Sequence, residues 1–217
     1  MDALVNINGD RVPTLELLLM LTVIALLPSI LVMMTSFTRI VIILSFVRNA
    51  LGVQQVPPSM VMVGISLFLT LFIMDPVISE INTTAFEPYR EEQITQEEAL
   101  ERAQVPLKEF MLRQTEISSV DMYMDLAGTE EVEELTDLPL TVVVPAFMTS
   151  ELKRAFMAGF LLFLPFLLID IIVSTTLMSM GMFMLPPATI SLPFKLLLFV
   201  TVDGWQLLFS TLVQSFR

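Results

Sequence analysis

Phe160–Leu161–Leu162–Phe163–Leu164–Pro165–Phe166–Leu167–Leu168–Ile169–Asp170–Ile171–Ile172–Val173 is apolar throughout except at Asp170. Extended back to Ala155, the run is long enough to cross the roughly 30 Å hydrocarbon of a bilayer, or to be buried in an equally apolar protein assembly. Pro165 is expected to bend a helix here. An unpaired carboxylate at Asp170 would be costly, so it must face a helix partner or a wet path.

Immediately downstream, Met178, Met180, Met182 and Met184 occupy every second position before Pro186–Pro187. Methionine has three rotatable bonds and a soft thioether, so such a segment can line or plug an opening that changes shape. Alternate residues do not share one helix face, which leaves packing filler as an equal reading. The next apolar block, Leu192–Val213, is interrupted by Lys195 and Asp203. Lys195 and Asp170 each lack another low-cost partner, which predicts an ion pair between two helices. Asp203, eight residues beyond Lys195, lies roughly 80° off its face.

Two further apolar blocks stand upstream, Leu15–Met34 and Met60–Val77. In the first, Pro13 is tolerated near a helix start, whereas Pro28 is expected to kink or divide the helix. Helix character is expected to continue through Thr35–Ser36 to Ala50 and to end at Gly52, before Pro57–Pro58. Arg39 and Arg48 lie on this piece, roughly 900° of helical turn apart, so they point to opposite faces and cannot serve one site. The helix from Met60, with Gly64, Ser66 and Thr70 as close-contact positions, is expected to stop at Asp75–Pro76.

The whole chain of 217 residues is 55% hydrophobic and 16% charged, with a mean hydropathy of +0.79. That is too apolar for an ordinary soluble domain. Residues 79–150 hold 16 acidic and 4 basic groups, and the rest of the chain is balanced. The organisation is therefore residues 1–78 as N-terminal apolar helices, 79–150 as an acidic insert, and 151–217 as C-terminal apolar helices carrying the methionine run. In the insert, a helix is expected over Thr95–Arg113, with Thr95 capping against Glu98, and a shorter one around Ser119–Ala127. The acidic run Glu130, Glu131, Glu133, Glu134 and Asp137 is expected to be a solvated loop. Leu140–Phe147 is rich in Val and reads as extended, with Thr149 or Ser150 capping the helix that follows. The fold class is all-α: bent helical hairpins in a membrane-type subunit, with a polar, mostly helical acidic insert.

Neither Cys nor His occurs, which removes disulfides, thiolate and Ser-His catalysis, and histidine or thiolate metal ligands. No phosphate loop, dinucleotide glycine signature or metal-ligand cluster is present, so neither a cofactor nor a metal is expected. The acidic insert would repel nucleic acid. Met1–Arg11 is polar, and no small-residue cleavage site follows the first apolar run, so that run is expected to be retained. Arg39 and Arg48 favour a cytoplasmic connection between the first and third helices, which puts the insert on the periplasmic side.

Met34–Thr35–Ser36–Phe37–Thr38–Arg39, Arg48–Asn49–Ala50–Leu51–Gly52, Pro57–Pro58 and Asp75–Pro76–Val77 resemble the FliP family, the P subunits of bacterial flagellar type III export gates. The second half carries the resemblance further, at Pro106–Leu107–Lys108–Glu109–Phe110–Met111–Leu112–Arg113–Gln114, Thr149–Ser150–Glu151–Leu152–Lys153, Pro165–Phe166–Leu167–Leu168–Ile169–Asp170, Gly181 to Leu198, and Val202–Asp203–Gly204–Trp205–Gln206. It covers residues 12–217. Injectisomes use a homologous subunit, but Pro186–Pro187–Ala188–Thr189–Ile190 is closer to the flagellar form.

The resemblance implies a non-enzymatic pore subunit of the bacterial inner membrane and flagellar basal body. It implies about five copies in a helical pseudo-ring. The implied partners are the Q and R gate subunits, the large export proteins with cytoplasmic domains, and the basal-body ring, with unfolded export substrates passing through the middle. It places an apolar gasket at Met182, Phe183 and Met184, with Gly181 as hinge and Pro186–Pro187 as terminator. Phe183 departs from the all-Met form and makes the middle position bulkier. Arg39, Arg48, Asp170, Lys195 and Asp203 become structural or inter-subunit charges. A secondary transporter would instead show saturable small-solute flux dependent on Asp170, and a scaffold would be indifferent to changes at the gasket. An intramembrane enzyme ranks below these, since no catalytic pair is visible.

Overall fold

Segments apolar on most faces satisfy their backbone most simply as helices, and the computed structural model is helical almost throughout. It describes residues 4–7, 10–53, 55–128, 132 and 134–216, with side chains described from residue 28 onward and at 18, 21, 22, 25 and 26 before it. Strands β1 (Leu4–Ile7) and β2 (Asp10–Pro13) form a small antiparallel hairpin ahead of helix α1 (Thr14–Met34). The sequence did not signal that hairpin.

Helix α1 continues past Pro28. The sharp change of direction comes at Thr35–Ser36, where continuous helix was expected: Pro28–Met34 and helix α2 (Phe37–Leu51) meet at 77°. Hydroxyls make this break possible. Thr35 donates to the Leu31 carbonyl and Thr38 to that of Val32 at 2.6 Å, satisfying acceptors released where the helix parts. Helix α2 ends at Gly52, whose φ of 77° is the left-handed cap that glycine adopts at least cost.

Helix α3 (Ser59–Ile81) does not stop at Asp75–Pro76 but runs through to a π-helical turn, Asn82–Phe86, and a short helix α4 (Glu87–Arg90). The proline forfeits one backbone bond, and burial of Met74 and Val77 on either side of it keeps the helix in place. In the insert, helix α5 (Gln96–Gln114) starts as expected, Thr95 Oγ1 accepting the Glu98 N–H at 3.3 Å. Helix α6 (Ile117–Ala127) follows. Of the acidic run, Glu130, Glu131 and Glu133 lie outside the described residues, and Glu134 and Asp137 are exposed.

Helix α7 (Leu140–Ser179) is a single element of 40 residues, so the extended reading of Leu140–Phe147 and the cap at Thr149 or Ser150 are both corrected. Val142, Val143, Ala146 and Phe147 are fully buried at helical spacing, and tertiary burial overrides the strand preference of valine. Helices α8 (Pro187–Thr201) and α9 (Gly204–Gln214) complete the chain, bent by 60° at their junction. The core forms where α2 packs on α7, flanked by α3, α5 and α6. Phe46 and Phe156 meet edge to face across α2 and α7 at 5.5 Å.

Among the described residues, the runs Ser59–Arg90 and Leu140–Ser179 are long and apolar enough to cross a membrane, and the two bent pairs raise the number to four if each is one span. Beyond its first turns α7 presents Phe160, Leu161, Leu168, Ile171 and Ile172 outward. Lipid or other protein must cover such a surface.

Candidate functional site

Helices α7 and α8 form a hairpin, and the methionine run is its tip. Gly181 terminates α7 with φ 74°, its N–H donating to the Met178 carbonyl at 3.1 Å while the Met182 N–H reaches that of Leu177 at 3.0 Å. This is the Schellman arrangement, which closes a helix and reverses the chain. Pro187, at the first turn of α8, restarts helix where a missing N–H costs nothing. Between these two punctuation marks the large side chains stand free. Phe183 is 79% and Met184 97% exposed, with Met182 and Leu185 half-exposed beside them.

Two helical turns or more below the tip, the hairpin is cross-linked by charge. Lys195 Nζ of α8 lies 2.6 Å from Asp170 Oδ2 of α7, and Ser191 Oγ donates to Asp170 Oδ1, also at 2.6 Å. Lys195 is almost fully buried and Asp170 half-buried. With both carboxylate oxygens engaged, the cluster fixes the register of the two helices that carry the tip.

A second polar cluster ties the body together. Arg39 of α2 donates through Nε to Glu151 Oε2 at 2.8 Å and through Nη2 to Glu151 Oε1, a two-point contact with α7. Nη2 also reaches Gln114 Oε1 of α5 at 3.1 Å, and Nη1 reaches the Ser215 carbonyl at 3.3 Å. The guanidinium lies over the Phe216 ring, 3.8 Å from its centroid. One arginine thus joins α2, α5, α7 and the residues after α9. Its planar fork is suited to this, having five donors in fixed geometry.

Arg48 stands apart from Arg39, donating to Ser59 Oγ at 3.0 Å, as their angular separation on α2 requires. Asp203 is exposed at the α8–α9 bend with φ 49°, and its side chain makes no cap bond. The sequence reading did not single out Glu151, Gln114 or Ser191. Glu151 carried a signal: it continues the stripe Val143, Phe147, Ser150 on the inner face of α7.

The FliP family model matches residues 20–212. The chain belongs to the FliP family. It is 51% identical over 221 residues to the flagellar biosynthetic protein FliP of Bacillus subtilis (strain 168), covering 100% of both chains. Against the protein of the same name from Pectobacterium carotovorum subsp. carotovorum, identity is 51% over 211 residues, covering 96% of this chain and 82% of the relative. The relative in Treponema pallidum (strain Nichols) is 50% identical over 211 residues, covering 96% and 78% respectively. FliP family membership and spanning-length apolar helices together fit a membrane location.

Proposed function

We propose that this chain is a pore-forming subunit of the flagellar type III protein export gate in the bacterial inner membrane. About five copies form the pseudo-ring with the Q and R subunits inside the basal body. The large export proteins with cytoplasmic domains engage it there, and unfolded flagellar substrates pass through its centre. The acidic insert lies on the periplasmic side. Met182, Phe183 and Met184 form the seal: flexible apolar tips, repeated around an axis, exclude water and ions at rest and yield to a passing chain. The subunit moves substrates without covalent chemistry.

The observation that carries this reading is the hairpin tip. Phe183 and Met184 are almost fully exposed on a backbone closed by the Gly181 cap, with the stem locked by Asp170, Ser191 and Lys195. A single chain gains nothing from presenting large apolar side chains to water, whereas several copies facing one axis would bury them together.

The test is to replace Met182, Phe183 and Met184 together with Ala, then follow ion conductance, flagellar secretion and assembly by native mass. Leak with intact assembly is expected. A tight membrane with normal secretion would return these side chains to filler.

A further inference from the structure

Four of the chain's 16 methionines crowd the seven residues from Met178 to Met184. Met184 stands almost wholly in the open, Met178 and Met180 are more than half exposed, and Met182 is nearly so. Met62, Met74 and Met111, in the core, are at most 4% exposed, so the two sets share one chemistry and differ in access. Neither set competes with a thiol: the chain has no cysteine, which leaves the thioether as its most readily oxidised group. A thioether reacts when an oxidant reaches its sulfur, and that puts the hairpin tip ahead of the core.

Oxidation there would change what the tip can seal. It turns a flexible apolar side chain into a polar, chiral one whose sulfoxide oxygen accepts hydrogen bonds strongly. An apolar constriction blocks ions by excluding water, and acceptors on its rim give water a foothold. Phe183, alone among the three proposed seal residues, carries no sulfur, so it stays apolar when its neighbours are oxidised. The cap around Gly181 is made by backbone N–H groups and the stem by Asp170, Ser191 and Lys195, so neither depends on sulfur. The hairpin therefore keeps its shape while its tip becomes polar.

We propose that Met184 and Met182 are a reversible oxidation site, through which a two-electron oxidant of the hypochlorous acid class opens the seal to ions. The thioether sulfur gains the oxygen and gives up two electrons, chlorine is reduced to chloride, and the proton of the acid is released. Methionine sulfoxide reductases, one for each sulfur epimer, remove the oxygen as water with two thiols as reductant. Met184 is oxidised before Met182, in the order of their exposure. Loss of the ion barrier rests on the seal reading above, whereas the oxidation itself rests on exposure.

The test exposes membrane vesicles carrying the assembled gate, with the full chain in place, to hypochlorite at neutral pH. Ion flux, sulfoxide content by peptide mass spectrometry and assembly by native mass are followed together. Sulfoxide is expected at Met184 first and Met182 next, with Met62, Met74 and Met111 still reduced, and flux should rise about fivefold or more at unchanged assembly. Adding both reductases with dithiothreitol should restore the starting flux. Met182→Leu combined with Met184→Leu, compared with itself before and after oxidant, should show no rise. Tip methionines oxidised no faster than the three in the core would overturn the site, as would a rise that persists in the double Leu variant. Oxidised tips with unchanged flux would overturn the opening. In that event the triple Ala replacement, measured in the same vesicles, separates the two readings: leak there leaves the seal standing without its oxidative opening, and a tight membrane removes both.

Discussion

Arg39 and Glu151 lie 112 residues apart in sequence and meet at two points in the interior, where the Glu151 side chain is completely buried. Each removes a cost that the other would otherwise impose: a carboxylate or a guanidinium alone in that position would lose its hydration without compensation.

Arg39→Ala and Glu151→Ala are each expected to destabilise the detergent-solubilised chain by about 3–5 kcal/mol, because each leaves a buried charge unpaired. The double replacement Arg39→Met with Glu151→Leu should cost less than either single change. Thermal unfolding followed by helix content checks this, and near-wild-type melting of both single variants would show that the pair holds nothing together.

Gly159 lies where α7 crosses α2, and a Cβ there would come within 2.5 Å of the Phe46 ring and 3.0 Å of its Cβ. Gly159→Val is expected to cost about 1–3 kcal/mol through overpacking. Phe46→Ala in the same chain should recover part of that loss, so the double-mutant coupling energy is the quantity to measure. Additive losses would place the fault outside this contact.

Asp170→Asn removes the charge that meets Lys195, whose side chain is 6% exposed against 32% for Asp170. A loss of about 1–3 kcal/mol is expected, smaller than at Arg39 because the carboxylate is reached by solvent. Asp170→Asn combined with Lys195→Met should recover stability. Assembly yield by native mass is the measurement, and unchanged yield in Asp170→Asn would sink the structural role of the pair.

Gly181 has φ 74° and open space where a Cβ would stand, so Gly181→Ala tests backbone geometry alone. The cost is about 1–2 kcal/mol, concentrated at the hairpin tip. If the tip is a seal, ion leak should rise while assembly is preserved. Equal conductance in wild type and variant would mean that the turn's closure has no bearing on leakage.

By itself the sequence determined the helical class, the apolar blocks, the Thr95 cap and the Gly52 terminus, because these depend on the hydrophobicity and backbone preferences of neighbouring residues. Its methionine run and its resemblance also pointed to the hairpin tip. Tertiary structure alone decided where those local signals lose. Val142, Val143 and Phe147 enter a helix because that places them in the core, and Pro76 is carried through because Met74 and Val77 are held on either side. The break at Thr35–Ser36 arises where hydroxyls take over the freed carbonyls. Glu151 meets Arg39 through packing of helices far apart in the chain. Propensity is a matter of tenths to about one kilocalorie per residue, whereas burial and charge pairing amount to several, so packing chose the partners that spacing alone leaves open.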